Sequence, residues 1–254
     1  MDKKTEVEQD YEARASSIDE NNNGGRTKKS YLGSKGASGA YQIIIASMPP
    51  HDVYIETHLG SGVIMLMKPP CERSIGLELD EKMLEKFAEY CRNPPFDNVE
   101  LYLHACEPFI DQFDYSGSRV LIYADPPYLH ETRTSRARYK YEYTKKQHIE
   151  LIKTLKRCAT KGAKVMLSGY PSKLYDENLQ GWYAIEFQVM TRGGPRTEKL
   201  WMSEKFDKAH SDAFAGKNFT DRQRIKRKAA RWAANFKKLS PQEKAAILGA
   251  IIKA

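Results

Sequence analysis

Arg119-Val120-Leu121-Ile122-Tyr123-Ala124-Asp125-Pro126-Pro127-Tyr128 decides the architecture. Its first six residues are a short apolar run rich in strand formers, the mark of a buried β-strand. The run stops at Asp125, and two consecutive prolines then fix the backbone and remove two N–H donors, so the strand ends there. The prolines' carbonyls stay free to accept hydrogen bonds. Asp125 adds a side-chain acceptor and Tyr128 a flat ring. In open α/β sheets ligands bind just beyond such strand ends.

Working outward, strand-like runs recur at Val53–Glu56, Ser74–Leu79, Val99–Leu103 and Lys164–Ser168. Helical stretches fall between them, around Gly39–Met48, Ser61–Met67, Glu81–Cys91 and Thr144–Lys161. This alternation predicts an α/β fold, a doubly wound and mostly parallel sheet. Two further runs, Tyr183–Met190 and Arg196–Met202 around Gly193-Gly194-Pro195, read as a closing antiparallel hairpin and bring the sheet to about seven strands. Residues 1–29 are polar and end in Asn21-Asn22-Asn23-Gly24-Gly25, a loosely attached tail. Residues 30–208 form the α/β domain and 209–254 a basic helical extension. In that extension Thr220 with Gln223 has capping-box form, and Ser240-Pro241-Gln242-Glu243 is a second helix start.

The 254 residues carry a net charge of +8 at a pI near 9.1. From Lys217 to Lys238 there are nine Lys/Arg against one Asp, so this stretch alone equals the net charge of the whole chain. A basic excess of this kind suits a polyanionic partner, whose counterions are released on contact. Cys71, Cys91, Cys106 and Cys158 make no C-x-x-C pair and read as reduced thiols of a cytoplasmic protein, with neither disulfide nor metal ligand among them. No apolar run approaches the roughly 20 residues of a membrane span, and no targeting segment is visible.

Three more stretches fall where a nucleotide-like ligand would need them. Tyr31-Leu32-Gly33-Ser34-Lys35 precedes the first strand. Glu56-Thr57-His58-Leu59-Gly60-Ser61-Gly62 follows that strand and opens a helix, and its glycines permit close approach to the backbone. Glu78 ends the second strand, and a carboxylate about 20 residues past such glycines can bind a ribose diol. Asp80 is placed to cap the next helix.

Taken together, these motifs resemble the Dam-type DNA adenine-N6 methyltransferases, from about Tyr31 to Trp201. The resemblance implies a Rossmann-like methyltransferase domain using S-adenosyl-L-methionine, with no metal. It implies catalytic roles for Asp125, Pro126, Pro127 and Tyr128, and cofactor contacts for Tyr31, Lys35, Glu56, His58, Gly60, Gly62, Glu78 and Asp125. Lys35 would neutralise the cofactor carboxylate. Thr57 and His58 depart from the family's usual Pro and Phe, and Ala105 stands in a slot that is often acidic.

The chemistry fits the residue types. An exocyclic amine is a poor nucleophile because its lone pair is delocalised into the ring. Acceptors aimed at its two N–H bonds favour the localised lone pair of the transition state. A ring beneath the base holds it in line, once the base has left the duplex. The expected partner is double-stranded DNA, with RNA or single strands as the alternative, met by a monomer. Backbone contacts are expected from Arg133, Arg136, Arg138 and Lys140, and from Arg222, Arg224, Lys226 and Arg227 on the basic helix. Only about a dozen residues separate Phe109 from Asp125, which leaves no room for a recognition insert and predicts short or relaxed specificity. Two other readings stay open: an RNA methyltransferase of ribosomal type, and a degenerate, non-enzymatic nucleic-acid-binding protein.

Overall fold

The computed structural model describes residues 35, 40–92, 98–132, 140–191, 194–211, 214–216 and 219–253. The expected polar tail lies outside them. The chain divides into two compact units, residues 1–213 and 214–254.

In the first unit the elements run α1 (Ala40–Ala46), β1 (Val53–Glu56), α2 (Val63–Met67), β2 (Arg73–Glu78), α3 (Glu81–Cys91), β3 (Val99–Leu103), α4 (Cys106–Gln112) and β4 (Val120–Ala124). A 3₁₀ turn at His130–Thr132 follows, then α5 (Lys145–Thr160), β5 (Lys164–Gly169), α6 (Lys173–Asn178), β6 (Tyr183–Thr191) and β7 (Gly194–Met202). The strands form one seven-stranded sheet in the order β3-β2-β1-β4-β5-β7-β6. All neighbours are parallel except at β7, which runs against both β5 and β6. This is the doubly wound sheet with a closing hairpin that the sequence predicts.

Burial follows from the pattern. Every residue of β1 and β4 is buried, whereas edge strand β3 is half-buried to exposed. A strand covered by helices on both faces must be apolar on both. Val53, Ile55, Ile75, Leu77, Val120, Ile122, Val165 and Leu167 join one core with Cys106 and Ile110 of α4 and Leu151, Ile152, Leu155 and Cys158 of α5. The alternate residues Tyr54, Leu121, Tyr123 and Met166 point to the other face. There Lys68, just past α2, lies 4.7 Å from the Tyr54 ring.

Local chemistry sets the helix ends. Asp80 caps α3 by accepting from the Lys82 N–H, as its position suggests. Thr144 and Gln147 close a full capping box on α5. Two helices, α4 and α6, are absent from the sequence reading. Each is at most seven residues long, with two buried side chains in α4 and one in α6, too few to show a 3.6-residue period. β7 begins at Gly194, earlier than expected, and takes Pro195 into its ladder with β6. Pairing with β5 starts only at Lys199, so the missing proline N–H faces no neighbour on that side.

The second unit holds α7 (Phe219–Lys237) and α8 (Pro241–Lys253). Ser240 and Glu243 exchange the reciprocal hydrogen bonds of a capping box, as read. Thr220 does not cap α7: the helix already includes Phe219, and Asp221 in its first turn pairs with Arg224 at 2.8 Å.

Gly62, at the start of α2, has φ +64°, and a Cβ built there would sit 1.9 Å from the Phe87 ring. Gly62→Ala should therefore cost about 2–4 kcal/mol, from left-handed backbone strain and overpacking together. Urea unfolding of the two proteins measures it.

Candidate active site

The strand order reverses between β1 and β4: β2 and β3 lie on one side, β5 to β7 on the other. Ligands of doubly wound sheets bind outside the carboxyl ends at such a point. A cleft of about 900 Å³, open solvent at its mouth included, lies there. Its walls hold Lys35, Glu56, His58, Gly60, Glu78, Asp125, Pro126, Pro127, Tyr128 and Lys140, so ten of the residues picked from sequence converge. Thr57, His104, Cys106, Tyr141 and Tyr143 line it as well.

The remaining expectations fall elsewhere. Tyr31, Arg133, Arg136 and Arg138 lie outside the described residues. Gly62 is buried beside Phe87 and does not line the cleft. Arg222, Arg224, Lys226 and Arg227 lie on α7 in the second unit. Lys140, expected on nucleic acid, pairs with Asp80 at 3.0 Å.

Each wall has a local cause. The Thr57 N–H donates to the Tyr123 carbonyl at 3.0 Å, lengthening the β1–β4 ladder by one bond. Proline has no N–H to make that bond, so threonine at this position adds a backbone contact. Glu78 is braced by three backbone donors: the Gly60 N–H at 2.8 Å on one oxygen, and the Leu79 and Asp80 N–H groups at 2.8 and 3.0 Å on the other. Its carboxylate is held in one orientation at the cleft wall.

His58 Nδ1 is 2.9 Å from Thr57 Oγ1, and its Nε2 is 3.1 Å from the Tyr143 hydroxyl. Burial lowers its pKa to about 3, so it presents a neutral ring. The Tyr143 hydroxyl in turn donates to Glu107 Oε1 at 3.0 Å. Glu107 is thus engaged behind the cleft wall, while Ala105 only starts α4, without a side-chain cap.

At the tip of β4, Lys35 Nζ donates to both Asp125 carboxylate oxygens at 2.7 Å and to the Tyr128 hydroxyl at 2.5 Å. Lys35, expected on a cofactor carboxylate, thus also holds the Asp125 carboxylate. Burial pushes the Asp125 carboxyl above its ordinary range, and Lys35 pulls it back. Tyr128 is 7% exposed, with the Tyr170 ring edge-on at 4.6 Å and Lys35 4.8 Å from its ring centre. Its flat face is not open in this arrangement.

Two residues of this cluster escaped the sequence reading. One is Tyr170, just past β5. The other is Glu198 of β7, buried with Oε2 3.8 Å from Lys35 Nζ. A signal existed for the second: by strand alternation Glu198 shares a face with Leu200 and Met202, both buried.

The geometry and the comparisons converge on a methyltransferase. A family model described as D12 class N6 adenine-specific DNA methyltransferase matches residues 80–194. Over this stretch the chain is similar to that class of adenine-specific methyltransferase. Among solved structures, TrmN from Thermus thermophilus aligns at 18% identity over 65% of this chain and 47% of its own, with a TM-score of 0.46. An rRNA methylase from Streptococcus thermophilus aligns at 12% identity over 66% and 95%, with a TM-score of 0.45. A conserved hypothetical protein from Streptococcus pyogenes aligns at 15% identity over 69% and 100%, with a TM-score of 0.47. No curated protein matches the chain in sequence.

Glu56 at the end of β1 is buried, accepts from the Tyr54 hydroxyl at 3.0 Å, and has its pKa raised by burial from 4.5 to about 8. The native protein therefore binds this proton more tightly than the unfolded chain. The stability this proton contributes is complete below pH 4.5 and is lost as pH rises towards 8. Glu56→Gln should gain on the wild type steadily across that window, read as a widening difference between their Tm values from pH 5 to 8.

Proposed function

We propose that this chain transfers a methyl group from S-adenosylmethionine to the N6 amine of an adenine flipped out of double-stranded DNA, with short or relaxed sequence specificity. The observation that supports this most is the tip of β4: Asp125, Pro126 and Tyr128 lie on the wall of the same cleft as Glu56, His58, Gly60 and Glu78.

The cleft suits such a cofactor. A carboxylate braced like Glu78 can accept from a sugar diol, and the neutral His58 ring gives an apolar face for packing. S-adenosylmethionine would supply an activated methyl group on its sulfonium sulfur. This chain's residues would do the rest. Asp125 and the Pro126 carbonyl would accept the two amine N–H bonds and localise the nitrogen lone pair. Tyr128 would hold the base plane, once its ring is uncovered. Lys140, on the cleft wall, and the arginines Arg133, Arg136 and Arg138 would meet the nucleic-acid backbone. The 209–254 extension, through Arg222, Arg224, Lys226 and Arg227, would add sequence-independent affinity to a catalytic domain at 30–208.

Only residues 113–119 separate α4 from β4, too few for a recognition insert, which supports a short or relaxed site. No described helix is long and apolar enough to cross a membrane, and we place the enzyme in the cytoplasm as a monomer.

Labelled-methyl transfer to duplex DNA and to ribosomal RNA, in parallel, tests the substrate; transfer confined to RNA would overturn the DNA assignment. Base-resolved mapping on random duplexes should show methylated adenines in a short context, and a strictly selected site of six or more base pairs would contradict it. Asp125→Ala should lower the rate by about 100- to 1000-fold or more while leaving DNA affinity nearly unchanged. Tyr128→Ala should cost about 10- to 100-fold, the scale of one base–aromatic stack. Wild-type turnover in Asp125→Ala would refute the role given to it.

A further inference from the structure

Glu198 buries a carboxylate beside Asp125, near the Lys35 ammonium and the Tyr128 hydroxyl. Among the described residues its Oε2 is buried without a hydrogen bond. It faces Lys35, Asp125 and Tyr128, with Tyr123 and Tyr170 close by. Leaving a buried carboxylate oxygen unsatisfied costs more than a hydrogen bond contributes. The fold nevertheless keeps this oxygen 3.8 Å from an ammonium, too long for a hydrogen bond. A shift of about 1 Å by the Lys35 ammonium would close it.

That ammonium currently holds both Asp125 oxygens. In the function proposed above, on which this inference rests, those are the oxygens an adenine amine needs. The amine can reach them only if the ammonium leaves, and a buried ammonium cannot leave towards nothing.

We propose that Glu198 is a positioning residue, the second seat of the Lys35 ammonium, which it receives when an adenine amine docks on Asp125. Only hydrogen bonds are exchanged, and no covalent bond or proton changes hands at Glu198. In the arrangement described above Lys35 sits on Asp125. With the amine docked it pairs with Glu198, freeing Asp125 as an acceptor. The net charge of the cluster is the same in both arrangements.

Single-turnover methyl transfer in a small set of variants tests this. Glu198→Gln, which keeps shape and removes charge, should slow transfer at least about tenfold, the scale of one charge-assisted hydrogen bond. Calorimetric affinity for S-adenosylmethionine and thermal stability should hold, so the loss falls on kcat and not on cofactor binding. Glu198→Asp, which keeps the charge, should recover most of the rate and stands as the comparison if the glutamine variant does not fold. In a Lys35→Met background there is no ammonium to move, and adding Glu198→Gln should cost less than about twofold. A wild-type rate in Glu198→Gln, an equal loss in Glu198→Asp, or additive losses in the double variant would each overturn the inference. An active Asp125→Ala would instead overturn the functional reading beneath it.

Discussion

The ladder between β1 and β4 is the constraint on which the site depends. It pairs Val53 with Val120 through Glu56 with Tyr123, and the Thr57 N–H then carries it one bond further to the Tyr123 carbonyl. This register brings Glu56, His58 and Asp125 to one level of the sheet. The parallel β1–β2 pairing adds Glu78 from the other side. Apart from Glu56 and His58, none of these side chains is near another in sequence. They meet because the parallel pairings of β1 with β4 and β2 set where each strand ends.

Around that ladder the protein buries or half-buries several ionisable groups, and each is handled differently. Glu56 stays largely protonated because burial disfavours its charge. Glu78 is spread over three backbone donors. Asp125 relies on one ammonium for both oxygens. His58 is held neutral by burial. Uncompensated burial of a charge is expensive, and these are four separate ways of avoiding it. The Asp125 solution depends on one side chain and not on the backbone.

Much of this was legible in the residues alone. The seven strands could be seen because buried parallel strands are short apolar runs, and the β4 tip because two prolines stop a strand without ambiguity. The helices α4 and α6 could not, since with at most two buried side chains each they leave no periodic trace. The site was legible where backbone chemistry dictates residue type, at Gly60, Glu78 and Asp125. It was not where the role depends on a distant strand. Lys35 was read as a partner for a ligand, and nothing near it in sequence names Asp125, 90 residues away. Glu198 announces itself only as a charge on an apolar strand face, and its neighbours are known only once β7 is placed beside β5.

The uneven distribution of charge has one more consequence. Residues 217–238 hold the entire formal excess, so the rest of the chain, with its sheet and cleft, sums to zero. Raising ionic strength shortens the reach of an exposed basic helix but hardly touches buried pairs such as Lys35 with Asp125. Long-range attraction and local chemistry thus answer to different variables. The dissolved electrolyte adjusts how often this protein meets a polyanion, while what happens inside the cleft after the meeting is insulated from it.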